Sequence, residues 1–352
     1  MTQPKIIRWG IAGTGTIARQ FASDISLAEG AILSAICSRD LARAQDFAGR
    51  HSGVAAFGSL TSMINSHAID AVYIATPNMA HHAQTLECIA AGMPVLVEKP
   101  MTASLDEALE IQSAASDKRS FVMEAMWSRY LPAVRAVRAA LRNGVIGTVH
   151  KLEADIARKQ EFDPDSRFFD KAQGGGALHD LGVYPISLAL YFLGIPGSIE
   201  AIWHAAPSGV DMAANVHLEY DNATAEITCG FDRNGSNRMV IEGDKGVLVL
   251  APPFIKADGF SVYPSRRLAD LAKPGGDAMQ NRIRRKLFNH LPLPGRTRHI
   301  CRFEGNGLQF EIEAASNAIR QGLSKEPDNS LDDTIAALRI IEHILASPPA
   351  RG

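Results

Sequence analysis

The sequence predicts an α/β protein of two domains, an N-terminal one on a parallel sheet and a C-terminal α+β one with an open, mostly antiparallel sheet. Three observations carry this. From Lys5 to Lys118, short runs rich in Ile, Val and Ala alternate with helical stretches, as in βαβ units whose sheet is covered on both faces. After about residue 150 the pattern turns to longer alternating segments separated by turn residues. The 352 residues, 46% of them apolar and 21% charged, suit two domains of ordinary globular composition.

In the first domain, taken as residues 1–125, strands are expected at Ile6 to Ala12, Ile32 to Cys37, Ala71 to Ala75, Val95 to Val97 and Phe121 to Glu124. Helices fall near 17–27, 41–50, 80–91 and 105–117. In the second, residues 126–352, strands are expected at His150 to Ala157, Ile199 to Ala205, Asn215 to Tyr220, Thr224 to Phe231 and Val247 to Leu250. Asp221-Asn222, Asn234-Gly235 and Gly243-Asp244 stand between runs as hairpin turns. Two helices close the chain, Gln309 to Gln321 and Leu331 to Leu345. The second is entered through Asn329-Ser330 and stopped by Pro348-Pro349, and both are expected to pack back on the first domain.

Thirty-six basic and thirty-eight acidic side chains leave a formal charge of -2, so no global field recruits nucleic acid or an anionic membrane, and a small-molecule partner is expected. No apolar run approaches the ~18 residues that span a bilayer, and Met1 to Arg8 lead into a strand without a signal-peptide core, which predicts a cytoplasmic protein. Cysteines at 37, 88, 229 and 301 form no Cys-x-x-Cys pair and read as reduced thiols. Neither the eleven histidines nor the acids show a metal-ligand spacing, so no metal is expected. No Gly-x-Ser-x-Gly elbow or Gly-x-x-x-x-Gly-Lys loop is present.

Gly10-Ile11-Ala12-Gly13-Thr14-Gly15-Thr16-Ile17-Ala18 is a strand, a G-x-G-x-x-A turn and a helix start in the order a dinucleotide site requires. Gly13 permits the tight turn, Gly15 the approach of a pyrophosphate, and Ala18 close helix-strand packing, with Thr16 and Ile17 opening the helix. At the end of the second strand stands Ser38-Arg39-Asp40, where NAD enzymes place an acid on the ribose. Ser38 can donate to a 2'-phosphate and Arg39 can bind it, which favours NADP. In the competing reading Ser38 caps the next helix, Arg39 lies in solvent and Asp40 serves NAD.

Glu98-Lys99-Pro100 ends a strand where open α/β sheets present residues to a ligand, and Pro100 would set the turn through a cis bond. The alternative is a surface ion pair. Gly174-Gly175-Gly176 leads into a helix carrying His179, Asp180, Tyr184 and Pro185, the last expected to bend it. Glycines there let a ligand approach, and Asp180 and Tyr184, four apart, share one face. Against this, Asp180 would be a buried capping acid and Tyr184 a core aromatic.

Together these stretches resemble the glucose-fructose oxidoreductase, inositol dehydrogenase and rhizopine catabolism family, abbreviated Gfo/Idh/MocA. The resemblance is nearest to its dimeric dihydrodiol dehydrogenase and NADP-dependent D-xylose dehydrogenase branch, through Glu124-Ala125-Met126-Trp127-Ser128-Arg129-Tyr130-Leu131-Pro132 and Arg167-Phe168-Phe169-Asp170. Thr76-Pro77-Asn78 with His81, Glu98-Lys99-Pro100, the glycine helix and Glu304-Gly305-Asn306-Gly307 extend it nearly end to end. It implies a Rossmann domain, a second domain whose sheet mediates dimerisation or higher homo-oligomers, and hydride transfer between nicotinamide and a ring carbinol or ketone of a sugar, polyol or cyclic diol. Lys99, Asp180 and Tyr184 match its catalytic set, Tyr184 standing where many members carry histidine. Thr76, Pro77, Asn78, His81 and Glu98 fall beside the cofactor, with Trp127 and Arg129 lining the site. In this reading the substrate proton goes to Tyr184, whose ordinary pKa near 10 is lowered by Lys99, while Asp180 orients the substrate or the lysine. A non-catalytic NADP-sensing regulator and an NAD-dependent glycosidase share the fold. The catalytic set argues against the first, and the missing export signal and missing acid at position 38 against the second.

Ser265 to Arg302 departs from the family pattern, with ten basic against two acidic side chains. Met279, Ile283 and Leu287 space as an amphipathic helix stripe, read as a solvated or subunit-contacting insertion, with a phosphorylated substrate or an anionic surface as rivals.

Overall fold

The computed structural model describes residues 5–271 and 294–350. The stripe of Met279, Ile283 and Leu287 lies outside them. The chain divides into two compact units, Met1–Tyr130 with Ala172–Gly174 and Glu304–Leu338, and Leu131–Lys171 with Gly175–Phe303 and Arg339–Gly352.

The first unit holds a six-stranded parallel sheet. Its strands are β1 (Ile7–Ala12), β2 (Ala31–Cys37), β3 (Ala55–Phe57), β4 (Ala71–Ile74), β5 (Val95–Glu98) and β6 (Val122–Ala125), in the order 3-2-1-4-5-6. Helices α1 (Thr16–Asp24), α2 (Leu41–Ala48), α3 (Leu60–Asn65), α4 (His81–Ala90) and α5 (Leu105–Lys118) connect them. Because helices cover both faces, β4, β5 and β6 are buried at every residue, which is why they read as continuous apolar runs. β3 escaped the sequence because it has only three half-buried residues, too few to show a period.

Helix α9 (Gln309–Arg320) belongs to this unit: Trp9 on β1 is fully buried and its indole N–H donates to Ser316 Oγ at 3.0 Å. The Glu304-Gly305-Asn306-Gly307 stretch is tied down by buried Asp24, which accepts from the Asn306 backbone N–H at 2.8 Å, its side-chain amide at 2.9 Å and the Leu308 N–H at 3.0 Å. Gly305 has φ +75°, and a Cβ there would fall 2.8 Å from the Asp24 carboxylate. Helix α10 (Leu331–Ala346) starts from Ser330, whose hydroxyl accepts from the Asp333 N–H while the Asp333 carboxylate accepts from the Ser330 N–H, a reciprocal cap.

The second unit holds an eight-stranded sheet: β7 (Val149–Ala157), β8 (Ser198–Ala205), β9 (Asp211–Glu219), β10 (Thr224–Gly230), β11 (Arg238–Gly243), β12 (Gly246–Leu250), β13 (Gly259–Tyr263) and β14 (Thr297–Ile300). The order is 14-13-12-11-7-10-9-8, antiparallel throughout except for the parallel β7–β10 pair. With it go α6 (Pro132–Arg142), α7 (Val183–Leu193) and α8 (Arg266–Leu271).

Asp221-Asn222 and Gly243-Asp244 turn the β9–β10 and β11–β12 hairpins. Asn234-Gly235 is not a hairpin turn, because β10 and β11 both pair with β7 and the connection crosses the end of that strand. Gly235 donates to Ala157 O at 2.9 Å, and a Cβ there would meet Ala157 N at 2.6 Å, so the glycine serves a close crossing. Lys171–Leu193 is long and apolar enough to cross a membrane by length and composition, but 78% of its most apolar 18-residue window is buried inside the protein. From the basic stretch, Arg266 on α8 is fixed by Glu153 at 2.5 Å, Asp270 at 2.9 Å and Glu242.

Candidate active site

The turn after β1 has the geometry of a phosphate cradle. Gly13 has φ +119°, and a Cβ there would strike Ala75 O at 2.5 Å, so only glycine fits between β1 and the end of β4. Gly15 caps α1 in an extended conformation without a side-chain hydrogen bond, and the first turn contains no acid. A Cβ on Gly15 would meet nothing within 4 Å. Gly15 and Thr16 are exposed at the positive end of the helix, which fits a pyrophosphate on the first-turn N–H groups. Ala18 is fully buried, as close helix packing requires.

At the end of β2 the cap of α2 is Asp40, not Ser38. Its carboxylate accepts from the Ala42 and Arg43 N–H groups at 3.0 and 3.4 Å and pairs with Arg43 at 3.3 Å. Ser38 Oγ accepts from the Asp40 N–H at 3.3 Å, and Arg39 is exposed.

The segment Lys99-Pro100-Met101, with a cis bond before Pro100, is held at a backbone group of each of its three residues by buried titratable side chains. Glu98 accepts from the Lys99 N–H at 3.2 Å, a His81 ring nitrogen lies 2.9 Å from Pro100 O, and Glu124 accepts from the Met101 N–H at 2.9 Å. Glu98 is no surface ion-pair partner: it is buried and takes a hydrogen bond from Tyr73 OH, while Tyr73 stacks on Phe21 at 3.8 Å. Burial lifts the Glu98 pKa to about 7 against the opposing pull of Tyr73 and Lys99. The other ring nitrogen of His81 is 2.8 Å from Thr76 O, so one fully buried ring joins the turns after β4 and β5. Burial pushes its pKa down although both carbonyls favour the cation. Thr76 Oγ1 donates to Gln84 at 2.7 Å, and Pro77 leads into a short turn at Asn78–Ala80.

Trp127 is half-buried in the turn Trp127–Tyr130. Arg129 is buried, donating to Asp328 O at 3.0 Å and pairing with Asp333 at 3.2 Å, which ties it to the start of α10. Glu124 also accepts from Thr334 Oγ1 at 3.1 Å. Glu311 is fully buried with no hydrogen-bond partner for either oxygen among the described residues, and burial beside Glu98, Asp24 and Glu124 pushes its pKa up. Tyr73 and Glu311 carried no signal in sequence, whereas Glu124 opens the Glu124-to-Pro132 stretch on which the resemblance rests.

In the second unit, Leu178–Gly182 forms a π-turn leading into α7. The irregularity expected at Pro185 is taken up one turn earlier, and Pro185 sits near the start of regular helix. Two of the three glycines make room for the protein's own chain. A Cβ on Gly175 would lie 2.7 to 2.9 Å from the Phe168, Arg167 and Asp170 carbonyls, and Gly176, at φ +120°, would strike the Asp211 carboxylate at 2.0 Å. Asp211 is buried and accepts from the Leu178 N–H at 2.6 Å; burial lifts its pKa to about 7 against the N–H groups it accepts from. Asp211 is thus the buried acid capping this helix, and sequence reasoning missed it. Asp180 remains 24% exposed with Arg167 Nη2 at 3.8 Å from its Oδ1, and Tyr184 is buried one turn on.

Residues 7–126 match the family model described as "Oxidoreductase family, NAD-binding Rossmann fold", and residues 134–249 match the "GFO/IDH/MocA C-terminal domain". Trans-1,2-dihydrobenzene-1,2-diol dehydrogenase of Bos taurus is 29% identical over 344 residues, covering 96% of both chains. The Mus musculus enzyme of that name is 34% identical over 247 residues, 68% of this chain and 73% of its own. Among solved structures, aldose-aldose oxidoreductase from Caulobacter crescentus superposes with TM-score 0.80 at 22% identity, covering 97% of this chain and 96% of its own. KijD10, a 3-ketoreductase from Actinomadura kijaniata in complex with NADP and TDP-benzene, gives 0.78 at 22% identity, covering 98% of each. With family models on both halves and a relative 34% identical over two thirds of its length, this chain belongs to the Gfo/Idh/MocA family of nicotinamide-dependent oxidoreductases.

Proposed function

We propose that the protein is an NADP-preferring dehydrogenase or reductase acting on a ring carbinol or ketone of a sugar, polyol or cyclic diol. Residues 1–125 carry the cofactor site and 126–352 the substrate and dimerisation functions. The observation that carries the reading is the fixing of the Lys99 segment by Glu98, His81 and Glu124, since three buried side chains on the backbone of three consecutive residues preorganise one lysine. When bound, the nicotinamide ring accepts or supplies the hydride. Tyr184 takes or returns the hydroxyl proton, Lys99 lowers the tyrosine pKa, and Asp180 orients the substrate.

Gly13, Gly15, Thr16 and Ile17 hold the pyrophosphate, while Thr76, Pro77, Asn78 and Trp127 border the cofactor. Glu98, His81 and Arg129, buried as they are, act through the loops they hold. The NADP preference rests on Asp40 being engaged as a helix cap, which leaves Ser38 and Arg39 for a 2'-phosphate. It agrees with NADP in the KijD10 complex. The substrate class follows the relatives, named for a diol and for aldoses. A cytoplasmic location and a homodimer or higher homo-oligomer through the eight-stranded sheet complete the proposal, the latter in keeping with exposed Ile202 and Ile300 on its strands.

The test is Tyr184→Phe, followed by reduced-nicotinamide absorbance on a panel of sugars and cyclic diols. Turnover should slow by ~10² to 10⁴ with cofactor affinity little changed. Retention of near-wild-type kcat would remove Tyr184 from the chemistry, and absence of wild-type turnover on the whole panel would overturn the substrate class.

A further inference from the structure

We propose that Arg167 is a positioning residue that holds the Asp180 carboxylate in its working orientation; this rests on the catalytic assignment of Asp180 made above. Arg167 lies in the loop Arg167-Phe168-Phe169-Asp170, which is locked onto the start of the glycine helix by paired main-chain bonds. The Gly175 N–H donates to Asp170 O and the Gly176 N–H to Phe168 O, both at 2.9 Å. The carbonyls of Arg167, Phe168 and Asp170 fill the space a Cβ on Gly175 would need, so loop and helix start are in direct backbone contact.

Side chains reinforce this. Phe168 packs edge-on against Phe231 at 5.6 Å, in a buried cluster with Phe169 and Ala177. The Arg167 guanidinium lies over the Phe168 ring at 4.3 Å, which restricts a long, flexible side chain before it meets its partner. From there Nη2 reaches to 3.8 Å from Asp180 Oδ1. A permanently charged fork on an aromatic shelf, carried by a loop fastened to the helix that bears Asp180, is suited to fixing the direction of one carboxylate. The pair is partly solvated, so its contribution to stability is small and its effect is on the orientation of the carboxylate.

Because Arg167 is 57% exposed, small solutes can reach its place, and the test uses that. Arg167→Met keeps apolar contact with Phe168 but removes the charge, Arg167→Lys keeps the charge, and Asp180→Asn removes its partner. In Arg167→Met, kcat should fall about three- to tenfold with the KM for NADP unchanged. Arg167→Lys should recover most of the loss, and millimolar guanidinium should partly rescue Arg167→Met. Adding Arg167→Met to Asp180→Asn should cost nothing further. The proposal is overturned if Asp180→Asn is slow while Arg167→Met keeps wild-type kcat, or if the two losses multiply. Wild-type kcat in Asp180→Asn alone would instead overturn the assignment of Asp180 itself, so the two failures are distinguishable.

Discussion

Glu98→Gln tests whether the segment before cis-Pro100 is anchored by a buried acid that favours its neutral form. The carboxyl pKa rises on folding from an ordinary 4.5 to about 7, chiefly because the group is buried. A raised folded pKa sets the sign: the native state carries no penalty below about 4.5, loses stability as pH rises through 7, and then levels off. At ~1.4 kcal/mol per pKa unit, the penalty is about 1 kcal/mol at pH 5 and about 3 kcal/mol at pH 8. Glutamine has no such titration. Its amide oxygen can still accept from Lys99 N–H or Tyr73 OH but not from both, a loss of about 1 kcal/mol at either pH that cancels between them. Urea unfolding of wild type and variant at pH 5 and pH 8, at one ionic strength, should show the variant gaining about 2 kcal/mol on wild type across that interval. A gain below about 0.5 kcal/mol would mean that Glu98 does not titrate there, and the account of this anchor would be wrong.

Glu311, fully buried with both oxygens unpartnered among the described residues, should be a stability liability. Glu311→Leu should raise the thermal midpoint at neutral pH by several degrees, for about 1 to 3 kcal/mol, and a lowered midpoint would reveal a role for the carboxyl. At the adenosine end, Arg39→Ala should lower kcat/KM for NADP about tenfold or more while leaving NAD unaffected. Equal losses with both cofactors would refute the 2'-phosphate assignment.

What the sequence determined by itself is what depends on near neighbours in the chain. Strand-helix alternation in the first half, the turn at Gly13, the serine cap before α10 and the cis-proline turn after Glu98 are set by backbone sterics and short-range hydrogen bonding. They were therefore legible without a structure. The crossing at Gly235 was misread because a glycine that admits a neighbouring strand and one that turns a hairpin look alike in sequence. Tertiary structure alone decided the support of the candidate site. Asp211 reaches Leu178 from 33 positions away, Glu124 reaches Met101 from 23, and the Gly175 backbone is shaped by carbonyls of the Arg167-Asp170 loop. The physical reason is desolvation. A carboxyl takes on a raised pKa only once apolar packing has removed its water, and which carboxyls are enclosed depends on distant segments brought together by the fold.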